Sequence, residues 1–160
     1  MGTRARIGIK LADNSILSAY HHYDGYPHWL GRQLVKHYST KELASELIDG
    51  GDMSVCYSTD TWGQKALYQH FVRPDGTTRS ELIRNEDGSI KYDIVKETPS
   101  PLYYSERGED TPPRLDSGLF EYLDNGEEYA YVFENGSWVA YDLHDFDDQE
   151  PEVVSIPDPE

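Results

Sequence analysis

The sequence predicts an α+β domain, with hairpins forming a mainly antiparallel sheet and a short helix pair packed on one face. Three observations favour this class. Apolar and polar residues alternate on both sides of Asp13-Asn14, a turn-forming pair. Asn135-Gly136 separates two aromatic-rich runs, which is a strong hairpin signal. Between the hairpins, residues 29–48 carry apolar side chains at helical spacing.

The first element is a strand over Thr3–Lys10, and Ser15–Tyr23 is its hairpin partner across Asp13-Asn14. Asp24-Gly25-Tyr26-Pro27 then ends the strand with turn-forming residues. Because proline is tolerated in the first turn of a helix, this segment also leads into the next element.

A short amphipathic helix follows from Trp29 to Tyr38. Ser39-Thr40-Lys41-Glu42 has the S-x-x-E form of a capping box and starts a second helix. We expect the second helix to turn three side chains inward and to end at Gly50-Gly51. Those three residues are Leu43, Leu47 and Ile48.

The middle of the chain has weaker patterns. Pro74-Asp75-Gly76 predicts a turn, and Asn85–Gly88 predicts another turn before a strand over Ser89–Lys96. Residues 97–114 are rich in proline, serine and charge, which is typical of a loop.

The last predicted element is a hairpin of Glu128–Phe133 and Ser137–Leu143. Proline and acidic residues dominate the sequence after it, so we expect residues 144–160 to be disordered. The sequence thus predicts one domain over residues 1–143 and an acidic tail over residues 144–160.

Charge is distributed unevenly. The formal net charge is −16, and residues 115–160 hold 14 acidic and no basic side chains. The first 114 residues carry a net charge of only −2. Such a chain repels bare nucleic acid and membrane surfaces except at a local basic site, and it could bind a basic protein. Cys56 is the single cysteine, and no apolar run of membrane length occurs, so we expect no membrane association and a soluble cytoplasmic protein.

The first hairpin carries the candidate binding residues. If Asp13-Asn14 is a two-residue loop, Arg6 lies opposite His21 and Arg4 lies opposite Tyr23. Opposed side chains share a face of the sheet, and a register slip of one residue would exchange the faces. One predicted face is basic and aromatic, with Arg4, Arg6, Lys10, His21 and Tyr23. The other predicted face is the core candidate, with Ala5, Ile7, Ile9, Ile16, Tyr20 and His22.

The basic face is suited to a nucleotide. Two arginines spaced two residues apart can bind phosphate oxygens through their guanidinium groups. Tyr23, Tyr26 and Trp29 are candidates for stacking on a base. His21 and Asp24 would orient the ligand. In the alternative interpretation Arg4 and Arg6 pair with surface acids, and Asp24–Pro27 is only a structural turn.

Other chemistries have weaker support in the sequence. His21, His22, Asp24, His28 and His37 are close in sequence, but neighbouring strand residues point to opposite faces, which disfavours a metal site. Cys56 has no surrounding nucleophile motif, and no glycine-rich phosphate loop occurs. General acid–base chemistry by His21 with Asp24 has only a generic signal. We therefore predict no cofactor, no metal and no catalytic residue.

Four stretches are similar to a family of small, conserved proteins of tailed bacteriophages. Its pattern is an R-x-R-I-G-I strand, an H-x-D-G-Y-P segment and a late G-E-E-Y-x-Y…G-x-W hairpin. The resemblance implies a phage origin and a host-cytoplasm setting, and a counter-defence role follows only by analogy. The matching stretches are TRARIGI at residues 3–9, SAYHHYDGYPHWLG at 18–31, LIDGGDMS at 47–54 and GEEYAYVFENGSWVAYD at 126–142.

We therefore expect a non-enzymatic phage protein that sequesters a small nucleotide signal, such as a cyclic oligonucleotide of host immunity (an anti-CBASS sponge). Symmetric ligands favour sites between identical subunits, so we expect a homo-oligomer and no direct nucleic-acid binding. The alternative is an acidic inhibitor or DNA mimic that occupies a basic groove on a host protein. A small nucleotide hydrolase would instead depend on His21.

Overall fold

A computed structural model describes residues 3–62, 65–93, 96–124, 126–144 and 152–158. The chain divides into two compact units, unit 1 over residues 1–58 with 100–160 and unit 2 over residues 59–99. The prediction of one domain over residues 1–143 with an acidic tail over residues 144–160 stays a prediction. Unit 2 is inserted between Ser58 and Ser100, which are paired neighbours on adjacent strands of unit 1.

The described residues form ten strands and three α-helices. The strands are β1 (Ala5–Lys10), β2 (Ile16–His21), β3 (Met53–Ser58), β4 (Tyr68–Val72), β5 (Thr78–Leu82), β6 (Ser100–Tyr103), β7 (Arg114–Asp116), β8 (Tyr129–Glu134), β9 (Ser137–Asp142) and β10 (Glu152–Val154). The helices are α1 (Arg32–His37), α2 (Lys41–Asp49) and α3 (Leu119–Leu123).

Unit 1 is built on an eight-stranded sheet in the order β10-β9-β8-β1-β2-β3-β6, with β7 also paired to β2. Most pairs are antiparallel, while β1–β8 and β2–β3 are parallel. The predicted α+β class, with a mainly antiparallel sheet and short helices, is confirmed. The predicted hairpin at Asn135-Gly136 is also present as β8–β9, with positive φ at both turn residues.

The first hairpin has a different register from the predicted one. Its loop has three residues, because Leu11 and Ser15 still pair and Asn14 takes a left-handed conformation with φ 70°. The Asp13 carboxylate accepts hydrogen bonds from the backbone N–H of Ser15 at 3.0 Å and from its hydroxyl at 2.5 Å. The extra loop residue shifts the pairing by one, so Arg6 lies opposite Tyr20 and not opposite His21.

The sheet has a hydrophobic core on each face. The core on the helix-pair side contains Ile7 of β1, Leu34 of α1 and Leu47 of α2. The core on the opposite side contains Ile16, Val132 and the fully buried Tyr122 of α3. Because both faces of β1 are covered, every residue from Ala5 to Ile9 is buried.

The predicted helix pair is present on one face. A π-turn over Pro27–Gly31 precedes α1. Thr40, not Ser39, is the N-cap of α2, since its hydroxyl accepts from the Leu43 N–H at 3.1 Å. Leu43 was predicted to point inward but is 41% exposed, while Leu47 and Ile48 are buried as expected.

Two regions predicted as irregular contain strands. Residues 97–114 were expected to be a loop, yet β6 and the first residue of β7 lie there and pair with β3 and β2. Residues 152–154 of the predicted disordered tail form β10 on the edge of β9. Ile156 packs so closely on Gly31 that a Cβ at Gly31 would come within 2.9 Å of it. Residues 145–151 and 159–160 of the tail lie outside the described residues.

Unit 2 is a small set of paired segments. β4 and β5 form an antiparallel hairpin, and the isolated bridges Arg84↔Ile90 and Ala66↔Tyr92 extend the pairing. Residues 94–95 of the predicted strand Ser89–Lys96 lie outside the described residues. None of the described side chains between residues 59 and 99 is fully buried, so unit 2 has no core of its own within that part of the chain.

Candidate anion-binding site

The observed register separates His21 from the arginines with which it was predicted to act. His21 lies on the helix-pair side and is fully buried, whereas Arg6 lies on the α3 side. Its Nε2 accepts a hydrogen bond from the Cys56 backbone N–H at 3.0 Å, and its Nδ1 has no partner. Burial lowers the pKa of His21 to about 3. His21 is therefore a neutral core residue in this structure, on the other side of the sheet from Arg6, and its predicted ligand-orienting role stays a prediction.

The Asp24–Pro27 segment has a clear structural role. The Gly25 N–H donates to the Thr3 carbonyl at 2.7 Å, and a Cβ at Gly25 would lie 2.6 Å from that oxygen. Asp24 takes a left-handed conformation with φ 54° and is exposed. Trp29 packs on the helix-pair core, on the other side of the sheet from Arg6. The predicted set of seven ligand residues is thus not brought together, although Tyr23 and Tyr26 are exposed.

A different set of side chains shares the α3 side with Arg4 and Arg6. Tyr20 is paired opposite Arg6, and His22 is two residues further along, which puts both on the arginine side. Arg114 of β7 is paired opposite Ser18, the hydrogen-bond partner of Arg6. We call this set the arginine–tyrosine patch; its members are Arg4, Arg6, Tyr20, His22 and Arg114.

Arg6 is the electrostatic centre of the patch. Its side chain is only 7% exposed, and its guanidinium donates to the Ser18 hydroxyl at 3.0 Å and to the Ser18 carbonyl at 3.3 Å. Burial, followed by the positive charge of Arg114, lowers the pKa of Arg6. Across the described parts of the chain, no carboxylate lies within ion-pair distance of Arg6. A buried cation of this kind normally needs a charged partner to offset its desolvation.

Acidic groups are present near the patch at longer range. The Arg4 guanidinium lies 3.8 Å from the Glu127 carboxylate, and burial raises the pKa of Glu127. Asp52 accepts a hydrogen bond from the Tyr20 backbone N–H at 3.0 Å. Both acids raise the pKa of Arg6, so they offset part of its cost of burial without contacting it.

Tyr20 and His22 form a coupled pair at the edge of the patch. The Tyr20 hydroxyl and the His22 Nδ1 are 2.6 Å apart, within hydrogen-bond distance. Burial, assisted by the negative charge of Glu127, raises the pKa of Tyr20 to about 12, so its hydroxyl stays protonated at neutral pH. The His22 ring also meets the Tyr23 ring edge-on, with centroids 4.5 Å apart. The three rings provide aromatic surface beside the arginines.

A short 3₁₀ turn over Tyr104–Arg107 adds a second aromatic and basic group. The Tyr104 N–H donates to the Asp52 carbonyl at 3.1 Å, which ties this turn to the patch. The Arg107 guanidinium lies 4.7 Å from the centre of the Tyr104 ring, a cation–π arrangement, and forms an ion pair with Glu109. Burial raises the pKa of Tyr104.

Sequence reasoning missed most of this set for an identifiable reason. Tyr20 and His22 were assigned to the core because the loop was taken as two residues long. The Asp13-Asn14-Ser15 sequence could have corrected this, because asparagine at a left-handed position followed by a hydrogen-bonding serine is typical of a three-residue loop. Arg114 and Tyr104 were missed because residues 97–114 were taken as a loop.

Three further findings concern metal binding, related proteins and membrane helices. No group of three or more histidine, cysteine or acidic side chains that could hold a metal ion occurs among the described residues. Searches against protein-family models, curated proteins and solved structures find no match to this chain. The resemblance to phage proteins therefore stays a prediction. No helix in the described part of the chain is long and apolar enough to cross a membrane.

Proposed function

We propose that this protein binds and sequesters a small nucleotide signal at the arginine–tyrosine patch, without cleaving it. The single observation that carries the proposal is the burial of Arg6, whose hydrogen bonds within the described residues go to Ser18, with Arg114 as a neighbouring positive charge. A phosphate that reached this guanidinium would supply the missing negative charge. In a chain of net charge −16, three arginines lie close enough together for the Glu127 carboxylate to interact with all of them. Such a local cluster of positive charge, which is Arg4, Arg6 and Arg114, favours an anionic ligand.

The aromatic side chains favour a nucleotide over inorganic phosphate. Tyr20, His22 and Tyr23 lie next to one another, so a base stacked on them would place its phosphate toward Arg4 and Arg6. The Tyr20 hydroxyl and the His22 ring nitrogen are also able to donate to a base edge or a ribose hydroxyl. In this proposal the protein acts in the cytoplasm of an infected host as a counter-defence factor, and it forms a homo-oligomer around a symmetric ligand.

The experiment is a calorimetric titration of purified protein with cyclic di- and trinucleotides, linear nucleotides and inorganic phosphate. The Arg114→Gln variant should weaken binding about 10- to 100-fold, the range expected for loss of one charged hydrogen bond. Arg114 is exposed, but its Nε donates to the buried Asp116 carboxylate at 3.0 Å, so the melting temperature of the variant is compared with that of the wild type before affinities are compared. Arg79→Gln, an exposed arginine of unit 2, is the matched control and should leave affinity unchanged.

The fate of the ligand decides between sequestration and turnover. Chromatography of the ligand after the protein is denatured should return it intact and in stoichiometric amount. A chemically changed ligand would replace the proposal with an enzyme, and the His22→Ala variant would then test the Tyr20–His22 pair. Failure of every nucleotide to bind, or unchanged binding by Arg114→Gln, would overturn the proposed site.

A second proposal, an acidic inhibitor of a basic host protein, is favoured by the charge distribution. Unit 1 contains 23 acidic and eight basic residues. Deleting residues 144–160 would be a poor test, since that segment contains β10 and Ile156. Replacing exposed acids of the described surface, such as Glu121→Gln with Asp124→Asn, leaves those contacts in place. Loss of host-protein capture in this variant, with nucleotide binding intact, would favour the inhibitor over the sponge.

A further inference from the structure

Two adjoining cavities form one groove on the helix-pair side of unit 1, away from the arginine–tyrosine patch. Their volumes are about 470 Å³ and 580 Å³, and both are lined by Ser39, Phe133 and Gly136. Volumes of this size are typical of small-molecule sites. Because the two cavities share these three residues, the groove is longer than either cavity alone.

The larger cavity is predominantly apolar. Phe133 and Trp138 are nearly buried and pack edge-to-face, with ring centroids 5.2 Å apart. The Trp138 indole N–H donates to the Tyr38 carbonyl at 2.9 Å, so this donor is already satisfied within the protein. The apolar side chains that line it come from α1, β8, β9 and the C-terminal segment (residues 152–156), as Val35, Phe133, Trp138, Ala140, Val154 and Ile156.

The smaller cavity has cations at its rim. Lys10 and Lys41 both line it, beside the apolar side chains of Ile9 and Leu11. Lys10 lies 3.4 Å from Glu134, which also lines this cavity and neutralises the charge of Lys10. Both residues follow core residues of the helix-pair side in their strands, so their side chains point to the α3 side of the sheet. Lys41, at the start of α2, provides the second charge. This end of the groove therefore favours an anion, although the protein as a whole is acidic.

The C-terminal segment forms one wall of the larger cavity. β10 is only three residues long, and it pairs Glu152 directly opposite Asp142. Like charges directly opposite on paired strands are unfavourable, so the wall is held chiefly by the side chains of Val154 and Ile156. The side chains of Val154 and Ile156 pack against the core and also line the cavity. A ligand in the groove would therefore contact the same side chains that hold this wall in place.

We propose that this groove binds a single-chain amphiphile with an anionic head, of the class of straight-chain carboxylates. The acyl chain lies along the apolar cavity beside Phe133 and Trp138, and the carboxylate lies at Lys41. Charge complementarity at one end and apolar lining at the other select this occupant. The site is separate from the arginine–tyrosine patch and does not depend on nucleotide binding.

The test is a calorimetric titration with octanoate, decanoate and dodecanoate below their micelle concentrations. Affinity should rise by up to about fourfold for each added methylene that the groove buries. Dodecyltrimethylammonium, which has the same tail and the opposite charge, should bind much more weakly. Amide NMR shifts should map to Ser39, Gly136 and the C-terminal segment.

Two variants distinguish binding in the groove from nonspecific hydrophobic binding. Ser39→Trp places a ring where both cavities meet, at an exposed position, and should abolish binding without disturbing the core. Lys41→Glu should weaken dodecanoate about tenfold through reversed charge at the rim. Lys36→Glu, an exposed lysine of α1 that lines neither cavity, is the matched control.

Three results of the titrations would overturn the proposal directly, and two further results would replace the ligand. The first three are absence of saturable dodecanoate binding, equal affinity for the cationic tail, and unchanged affinity of Ser39→Trp. If the wild type instead self-associates and Ser39→Trp makes it monomeric, the groove accommodates a second copy and the amphiphile is rejected. Binding of a short apolar peptide in preference to every carboxylate would reject it equally.

Discussion

The β1–β2 hairpin of unit 1 and the β4–β5 hairpin of unit 2 use the same turn chemistry. In each loop an aspartate accepts from the backbone N–H and the hydroxyl of the residue two positions later, Asp13 from Ser15 and Asp75 from Thr77. Each loop also has a left-handed residue between them, Asn14 or Gly76. The turn therefore sets the register of both hairpins.

The two hairpins differ in what surrounds them. β1 is flanked by β2 and β8 and covered on both faces, so five of its six residues are buried. In contrast, Val72 of β4 is 75% exposed, and unit 2 buries no described side chain fully. A local sequence therefore specifies a hairpin, whereas the stability of that hairpin depends on the elements that pack against it.

The largest expected effect is at Tyr122, the fully buried tyrosine of α3. Its hydroxyl donates to the Tyr131 carbonyl at 2.8 Å, and its ring fills the core on the α3 side. Tyr122→Ala should lower the free energy of unfolding of unit 1 by about 3–5 kcal/mol, as for other buried aromatics. Phe71→Ala, the matched change in unit 2, should leave the main transition in urea unchanged. Equal destabilisation by both variants would mean that the two units unfold as one.

A smaller effect is expected at the matched aspartates. Hydrogen bonds from Ser15 and from Thr77 hold the pKa of Asp13 and of Asp75 below the ordinary value of 3.8. A carboxyl whose pKa is depressed on folding stabilises the folded state above pH 3.8 and stops doing so as pH falls through the folded-state value. Asp13→Ala should therefore lower the melting temperature of unit 1 at neutral pH. The further fall of this melting temperature from neutral to acid pH should be smaller in the variant than in the wild type.

Asp75→Ala is the control for this prediction. It should leave the melting temperature of unit 1 unchanged at every pH and should speed amide hydrogen exchange only within β4 and β5. An identical loss of melting temperature from both variants would contradict the contrast between the two hairpins.

The smallest expected effect is removal of unit 2. Ser58 and Ser100 are paired neighbours on β3 and β6, so an Asn-Gly turn can replace residues 59–99. The shortened chain should keep the melting temperature of unit 1, because the described residues of both its cores lie outside the deleted segment. Circular dichroism and thermal melting would measure this. A chain that fails to fold would show that unit 2 stabilises unit 1.

The sequence predicted the elements with strong local signals and missed those defined by distant contacts. Asn135-Gly136 and Leu47 with Ile48 identified the last hairpin and the second helix correctly. β6, β7 and β10 are three or four residues long and form only because β3, β2 and β9 offer free edges. Local sequence carries little information about such strands.

The arrangement of the predicted site residues differs from the observed one for a more specific reason. One extra loop residue at Asn14 exchanged the two faces of β2, which moved His21 into the core and brought Tyr20 and His22 beside Arg6. Arg4 and Arg6 were predicted on the correct strand, while Arg114 and Tyr104 join them only through pairing that spans most of the chain. The residue types that bind phosphate were thus identifiable from the sequence, but the arrangement of their side chains depends on the tertiary structure.

The parallel pairing of β1 with β8 has a consequence for synthesis of the chain. Ala5–Ile9 lies against Tyr129–Phe133, so the central strand of the sheet has a vacant edge until the ribosome has translated more than 120 further residues. Contacts with such large sequence separation slow folding. During that interval a nascent chain exposes the apolar side chains of Ile7 and Ile9, which makes it a natural client for chaperones that bind extended apolar segments.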